Sequence, residues 1–125
     1  MRRLKKSSVL SNNCFIPLDS TDELSAQLNQ HDIVLVLFGG QQCGVCHSIK
    51  PKLEVILNES FPTTRAFYVD CQTSTELCAQ KGVMTLPVVQ VYFAGQKFIE
   101  KARAFSLAEL ETEMKRIEAK MNSMN

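Results

Sequence analysis

Long apolar runs, a strong excess of one charge and a dense cysteine framework are all missing from this sequence. The longest apolar run, Ile33 to Phe38, is six residues, far too short to span a bilayer. The basic start leads into Ser7-Ser8-Val9-Leu10-Ser11-Asn12-Asn13, too polar for the core of an export signal. A soluble cytoplasmic protein with no membrane contact is therefore expected. Net charge is only +1, so bulk electrostatics give no case for a nucleic-acid partner. The charge is uneven, though. Arg2, Arg3, Lys5 and Lys6 hold four of the fourteen cations, and the remainder sets ten against thirteen acids, near −3. Residues 1–13 read as a flexible basic arm, solvated rather than docked. Five cysteines in 125 residues are an odd count and too sparse for a disulfide scaffold. In a reducing compartment, paired cysteines point to catalysis or metal binding instead.

Repeats, low-complexity tracts and internal linkers are absent too. What is present is one domain, residues 14–121, with 45% hydrophobic content to build its core and a fraying end at 122–125. Its pattern alternates strand and helix. Cys14 to Leu18 predicts a short first strand. Ser20 with Glu23 three residues on is a capping box, and Leu24 and Leu28 share one face of the helix it opens. Ile33 to Phe38 predicts a central strand covered on both faces, ended by Gly39-Gly40. A helix from about Cys43 to Glu59 follows, its stripe formed by Ile49, Leu53, Ile56 and Leu57, with Pro51 as a kink. Then come a strand at Arg65–Asp70 and a short helix at Thr75–Lys81 ended by Gly82. A hairpin of Val88–Phe93 and Lys97–Ala104 turns at Ala94-Gly95. Ser106 and Glu109 cap a last helix carrying Leu107, Leu110, Met114, Ile117 and Met121. The order β-α-β-α-β-α-β-β-α implies an α/β fold: a mixed central sheet with helices on both faces.

Chemistry concentrates at Cys43-Gly44-Val45-Cys46, between a buried strand and a helix. Two intervening residues let the sulfurs meet at the first helical turn. Unpaired N–H groups and the helix dipole there favour thiolate over thiol, which creates a nucleophile. Cys43, at the tip and nearer solvent, should attack; Cys46, one turn in, should resolve the mixed disulfide. Thr85-Leu86-Pro87-Val88 supplies a proline at the start of a strand, where an X–Pro bond allows a cis peptide. With these motifs the chain resembles the thioredoxin superfamily from about Cys14 to Met121. Cys43, Gly44 and Cys46 match its redox motif, Pro51 its helix-kinking proline and Pro87 its cis-proline. Phe38 matches its aromatic before the motif, and Gly95 its hairpin glycine.

The resemblance implies a thioredoxin fold and a thiol–disulfide oxidoreductase that reduces protein disulfides by cycling Cys43 and Cys46. It implies no cofactor, an upstream thiol reductant, protein disulfide clients and a monomer. Pro87 would sit against the cysteines, and the Leu86 backbone would pair with an extended client. Gln42, Gly44, Val45 and Arg103 would complete the client-binding surface. There are departures. Gln42 and Val45 replace the tryptophan and proline of the usual motif, and Val45 should make the protein less reducing. Leu37 holds the place of the buried acid that aids proton transfer, and Tyr68 or Ala66, depending on register, that of its lysine partner. Gly39-Gly40 replaces a bulky pair. Arg103 stands where a small glycine normally borders the docking surface and should select acidic or extended partners.

Rival readings attach to the same residues. Cys43-x-x-Cys46-His47 satisfies the attachment motif of c-type haem, but the site lies between a buried strand and a helix, and haem attachment needs export. His47 is either a modulator of the thiol pKa or a polar helix-surface residue. Zinc or an iron–sulfur cluster would need Cys71 and Cys78 to join Cys43 and Cys46, and their separation of seven is poor for that. Cys71 and Cys78 read better as a strand-end thiol and a small buried apolar residue than as a second redox pair. Cys14 reads as structural or exposed, and His31 as a loop residue. A thioredoxin-fold binding or assembly module with little turnover is the non-enzymatic alternative.

Overall fold

A computed structural model describes residues 15–123. The expectations for the arm at residues 1–13, for Cys14 and for residues 124–125 lie outside them. The elements run β1 (Phe15–Pro17), α1 (Thr21–Gln30), β2 (Ile33–Gly39), α2 (Gly44–Ser60), β3 (Arg65–Asp70), α3 (Thr75–Gln80), β4 (Val88–Phe93), β5 (Gln96–Ala102) and α4 (Leu107–Ser123).

Five strands form one sheet in the order β1-β3-β2-β4-β5. β1 and β2 flank β3 in parallel, while β4 runs antiparallel to both β2 and β5. The sheet is mixed, as the alternation of elements implied. β2 lies at its centre and every residue of it is buried, which is why it reads as an unbroken apolar run. Side chains alternate between two cores. Leu35, Leu37, Ala66, Val89 and Val91 pack under Leu53 and Leu57 of α2 and Leu110 and Met114 of α4. Val34, Val36, Phe38, Phe67 and Val69 pack under Leu24 of α1 and Leu77 of α3.

Local signals fix the ends of these elements. Ser20 Oγ accepts from the Glu23 N–H, and Glu23 reaches back to the Asp19 N–H rather than to that of Ser20 itself. Ser106 Oγ accepts from the Glu109 N–H in the same way. α2 continues through Pro51, which has no N–H to give to the His47 carbonyl one turn back. At the hairpin, Ala94 and Gly95 both take positive φ, +53° and +81°, the twist that a two-residue turn needs. β5 stops at Ala102, two residues short of the expected end, because Arg103 turns to φ +67° and gives its N–H to the Pro87 carbonyl at 2.7 Å. α4 carries its helix through Asn122 to Ser123.

Candidate active site

β2 delivers the chain to Gly39 in the middle of the sheet, and a short loop turns it into α2. Cys43 is the N-cap of that helix, extended at φ −96° and ψ +99°. Its sulfur accepts from the Cys46 N–H at 3.2 Å, so it sits among the orphan donors of the first turn. Cys43 and Cys46 form a disulfide. The two sulfurs differ in access: Cys43 is half-buried, whereas the Cys46 residue is 2% exposed. An incoming thiolate from solvent can reach Cys43 and not Cys46. Gln42, Gly44 and Val45 are all exposed around it, and Val45 presents an apolar side chain to water.

The approach loop is held by its neighbours. The Gln41 N–H donates to Gln72 Oε1 at 3.2 Å, and His47 Nε2 donates to the Gln41 carbonyl at 2.9 Å. His47 is thus anchored to loop backbone on an exposed surface. The Leu86–Pro87 bond is cis. Leu86 comes so close to the loop that a Cβ on Gly40 would lie 3.3 Å from its Cδ1. Arg103 closes the far side through its bond to Pro87, with its side chain exposed.

Two residues before Gly39 on β2, Leu37 is fully buried and carries no proton to exchange. β3 pairs with β2 so that Tyr68 is the register partner of Leu37, and Ala66 that of Leu35. Tyr68 is therefore the residue placed beside the inner cysteine. A Cβ on Gly39 would lie 2.9 Å from the Tyr68 hydroxyl and 3.2 Å from Cys46 Sγ. Lys50, one turn after Cys46, holds its ammonium 5.0 Å from the Tyr68 ring centre. Burial and, to a lesser degree, Asp70 raise the Tyr68 phenol above its usual pKa. Sequence reasoning misses Lys50 and Gln72, which only the packing of α2 and of the turn after β3 brings to the site.

One expectation needs correction. Cys71 and Cys78 are neither a free strand-end thiol nor a lone buried apolar residue; they form a second disulfide. It bridges the end of β3 to α3, because the turn after Asp70 folds the chain straight back. The Thr73 and Ser74 N–H groups both bond to the Asp70 carbonyl. Cys71 and Cys78 thus bond each other rather than completing a four-cysteine set with Cys43 and Cys46. Among the described residues, no cluster of three His, Cys, Asp or Glu side chains is arranged to hold a metal ion. No helix among them is long and apolar enough to cross a membrane.

Comparison with known proteins agrees with this geometry. The family model described as Thioredoxin matches residues 16–116. The chain is 30% identical over 98 residues to thioredoxin-1 of Schizosaccharomyces pombe, covering 78% of this chain and 93% of that protein. It is 27% identical over 90 residues to the thioredoxin-like protein YdfQ of Bacillus subtilis, covering 72% and 80%. Among solved structures, thioredoxin from Trypanosoma brucei brucei superposes with a TM-score of 0.77 at 20% identity, covering 91% of this chain and 99% of that one. Oxidised mitochondrial thioredoxin 3 from Saccharomyces cerevisiae gives 0.76 at 21%, covering 84% and 97%. At such identities the structural matches speak for the fold; the family match and the sequence relatives carry the chemistry, thiol–disulfide redox exchange in general. The chain belongs to the thioredoxin family.

Proposed function

We propose that the protein reduces protein disulfides through a Cys43–Cys46 dithiol/disulfide cycle. The observation that carries this reading is the asymmetry of the pair at the tip of α2: an accessible Cys43 among helix N–H groups and an enclosed Cys46. In the reduced protein, the Cys43 thiolate attacks one sulfur of a client disulfide. A Cys43–client bond forms, and the other client sulfur leaves with the electron pair and takes a proton from water. Cys46 thiolate then attacks Cys43 Sγ, the Cys43–Cys46 bond forms, and the second client thiol is released. Two electrons have passed to the client, and an upstream dithiol returns them.

The surrounding residues take client-binding roles in this reading. The Leu86 backbone at Pro87 pairs with an extended client segment, while Gln42, Gly44 and Val45 form the floor around Cys43. Arg103 adds a cation at the rim that favours acidic clients. His47 fixes the approach loop and tunes the Cys43 thiolate from there. Val45 in place of proline raises the potential above that of conventional thioredoxins. The setting is cytoplasmic and the working unit a monomer.

The test is capture. A Cys46→Ser variant should accumulate client proteins bound through Cys43, released by a thiol reductant, while Cys43→Ser captures none. The wild type should also reduce insulin disulfides with a dithiol as donor. No capture together with no insulin reduction would leave the second reading, a binding or assembly module. That reading draws its support from the apolar, fully buried Leu37 where the family pattern has an acid.

A further inference from the structure

Two small departures from the family pattern meet at one point. Gly39 has no side chain where the pattern is bulky, and Leu37 has no carboxyl where the pattern is acidic. A Cβ at Gly39 would lie 2.9 Å from the Tyr68 hydroxyl, 3.1 Å from Cys46 Cβ and 3.2 Å from Cys46 Sγ, so the absent side chain leaves its space between the phenol and the inner cysteine. Among the described residues the half-buried Tyr68 hydroxyl has no protein hydrogen-bond partner, and it is not one of the fully enclosed polar atoms. Its ring packs against the core cluster that includes Leu37, its register partner, and the Lys50 ammonium lies over it.

We infer that, once the Cys43–Cys46 bond is broken, the Tyr68 hydroxyl donates a hydrogen bond to the Cys46 thiolate through the gap left at Gly39. The inference rests on the proposed redox cycle for its purpose, though not for its measurement. Both steps involving Cys46 gain from it. When the upstream thiolate attacks Cys43 Sγ, the Cys43–Cys46 bond breaks and its electron pair goes to Cys46, which leaves as a thiolate facing the phenol. When Cys46 resolves a mixed disulfide, the same donor has kept it deprotonated; the new bond goes to Cys43 and the electron pair to the client sulfur. Tyr68 keeps its own proton throughout. Its raised pKa, from burial first and Asp70 second, makes it a donor and not a base at neutral pH. The charged groups acting on this phenol are Lys50 from α2, which also favours a neighbouring thiolate, and Asp70 from β3, which opposes one.

A neutral donor to a thiolate should move the Cys46 pKa down by about one unit, a tenfold change in thiolate at neutral pH. Lower basicity also costs intrinsic nucleophilicity, so the resolving rate should change by only about threefold. The experiment titrates the Cys46 thiolate by its ultraviolet absorbance in Cys14→Ser/Cys43→Ser protein with the Cys71–Cys78 bond kept intact, so that Cys46 is the one free thiol, with and without Tyr68→Phe. The phenylalanine keeps the ring under Lys50 and removes only the oxygen. A midpoint about one unit higher in Tyr68→Phe supports the inference; an unchanged midpoint overturns it. Gly39→Ala gives a second reading, because its methyl would lie 2.9 Å from the hydroxyl, as well as 3.1 and 3.2 Å from Cys46 Cβ and Sγ, and would push the phenol out of the gap. It should raise the midpoint alone, and adding Tyr68→Phe should then raise it no further; full additivity would refute the shared gap. No client enters these titrations, so a failed client capture and a failed Tyr68 effect are separate results.

Discussion

The Cys71–Cys78 bond makes a stability prediction that can be worked through from the chain. The bridge closes a loop with a sequence separation of seven. In the chain-entropy treatment, closing so short a loop in the unfolded state stabilises the fold by about 2.5 kcal/mol. The native loop is already ordered without the bridge: Cys71 N–H donates to the Gly39 carbonyl at 2.8 Å, and Ser74 N–H to the Asp70 carbonyl at 2.8 Å. Breaking the bond should therefore leave the native geometry in place, with the loss arising in the unfolded ensemble. The single variant Cys71→Ser isolates this effect, since Cys78 keeps its buried packing in the core beneath α3. Thermal unfolding of oxidised wild type against oxidised Cys71→Ser should show a melting temperature lower by about 10 °C for a domain of this size. Strong reductant should bring the wild type down toward the variant. A melting temperature unchanged in the variant would refute the reasoning and mean that the unfolded loop is as constrained without the bridge as with it. Such a bond also makes stability depend on redox state, because a reducing compartment would hold the pair open.

Two further outcomes follow from backbone and charge. Arg103 is held at φ +67° with its N–H on Pro87, so Arg103→Gly should stabilise the fold by up to about 1 kcal/mol in urea unfolding. The same variant should lose preference for acidic over neutral client peptides, and equal turnover of all clients before and after would reject a selecting role. Tyr92 has its phenol pushed up to about 12, by burial first and Glu100 second. The folded state thus holds this proton more tightly than the unfolded chain. Its contribution is complete below about pH 10 and is lost as pH rises through about 12. Tyr92→Phe also removes the bond to Gln90 Oε1 at 2.7 Å, so it should be less stable than wild type at neutral pH. The two unfolding curves should converge by pH 12; a constant gap would contradict the assignment.

What could be read from sequence was what depends on neighbours in the chain. The limits of β3 and β4 follow from runs of β-branched and aromatic residues. Ser20 and Ser106 announce helix starts through contacts three residues long, and Ala94-Gly95 announces its turn by the φ values that it must take. Cys43 as a helix cap was legible for the same reason. Pairing across strands was not. Whether Tyr68 or Ala66 faces the site depends on the parallel register of β3 against β2, which no local pattern encodes. The Cys71–Cys78 bond depends on how sharply the chain reverses after Asp70, and a separation of seven fits a bridge, a metal pair or two unrelated thiols equally well. Arg103 was recognisable as a misfit at a glycine position. Its consequence, a strand cut short at Ala102, needed the left-handed φ to be seen.

Taken singly, the glycine at 39, the leucine at 37 and the tyrosine at 68 each look like the loss of a catalytic feature. Taken together they obey one steric condition. A buried carboxylate at position 37 would need a partner that stabilises charge within an apolar layer, at a desolvation cost that a leucine avoids. A phenol reaching from the next strand needs no such compensation, yet its oxygen demands the very space that any side chain at position 39 would occupy. Tyr68 at full reach thus requires Gly39, and Gly39 leaves a gap beside Cys46 unless something fills it. The substitutions are coupled by volume before they are coupled by chemistry. Changing only one of the pair at 39 and 68 should cost more than changing both. A bulky residue at 39 collides with the phenol, and removing the phenol alone leaves the space at Gly39 unfilled beside Cys46, whereas the two changes together relieve each other.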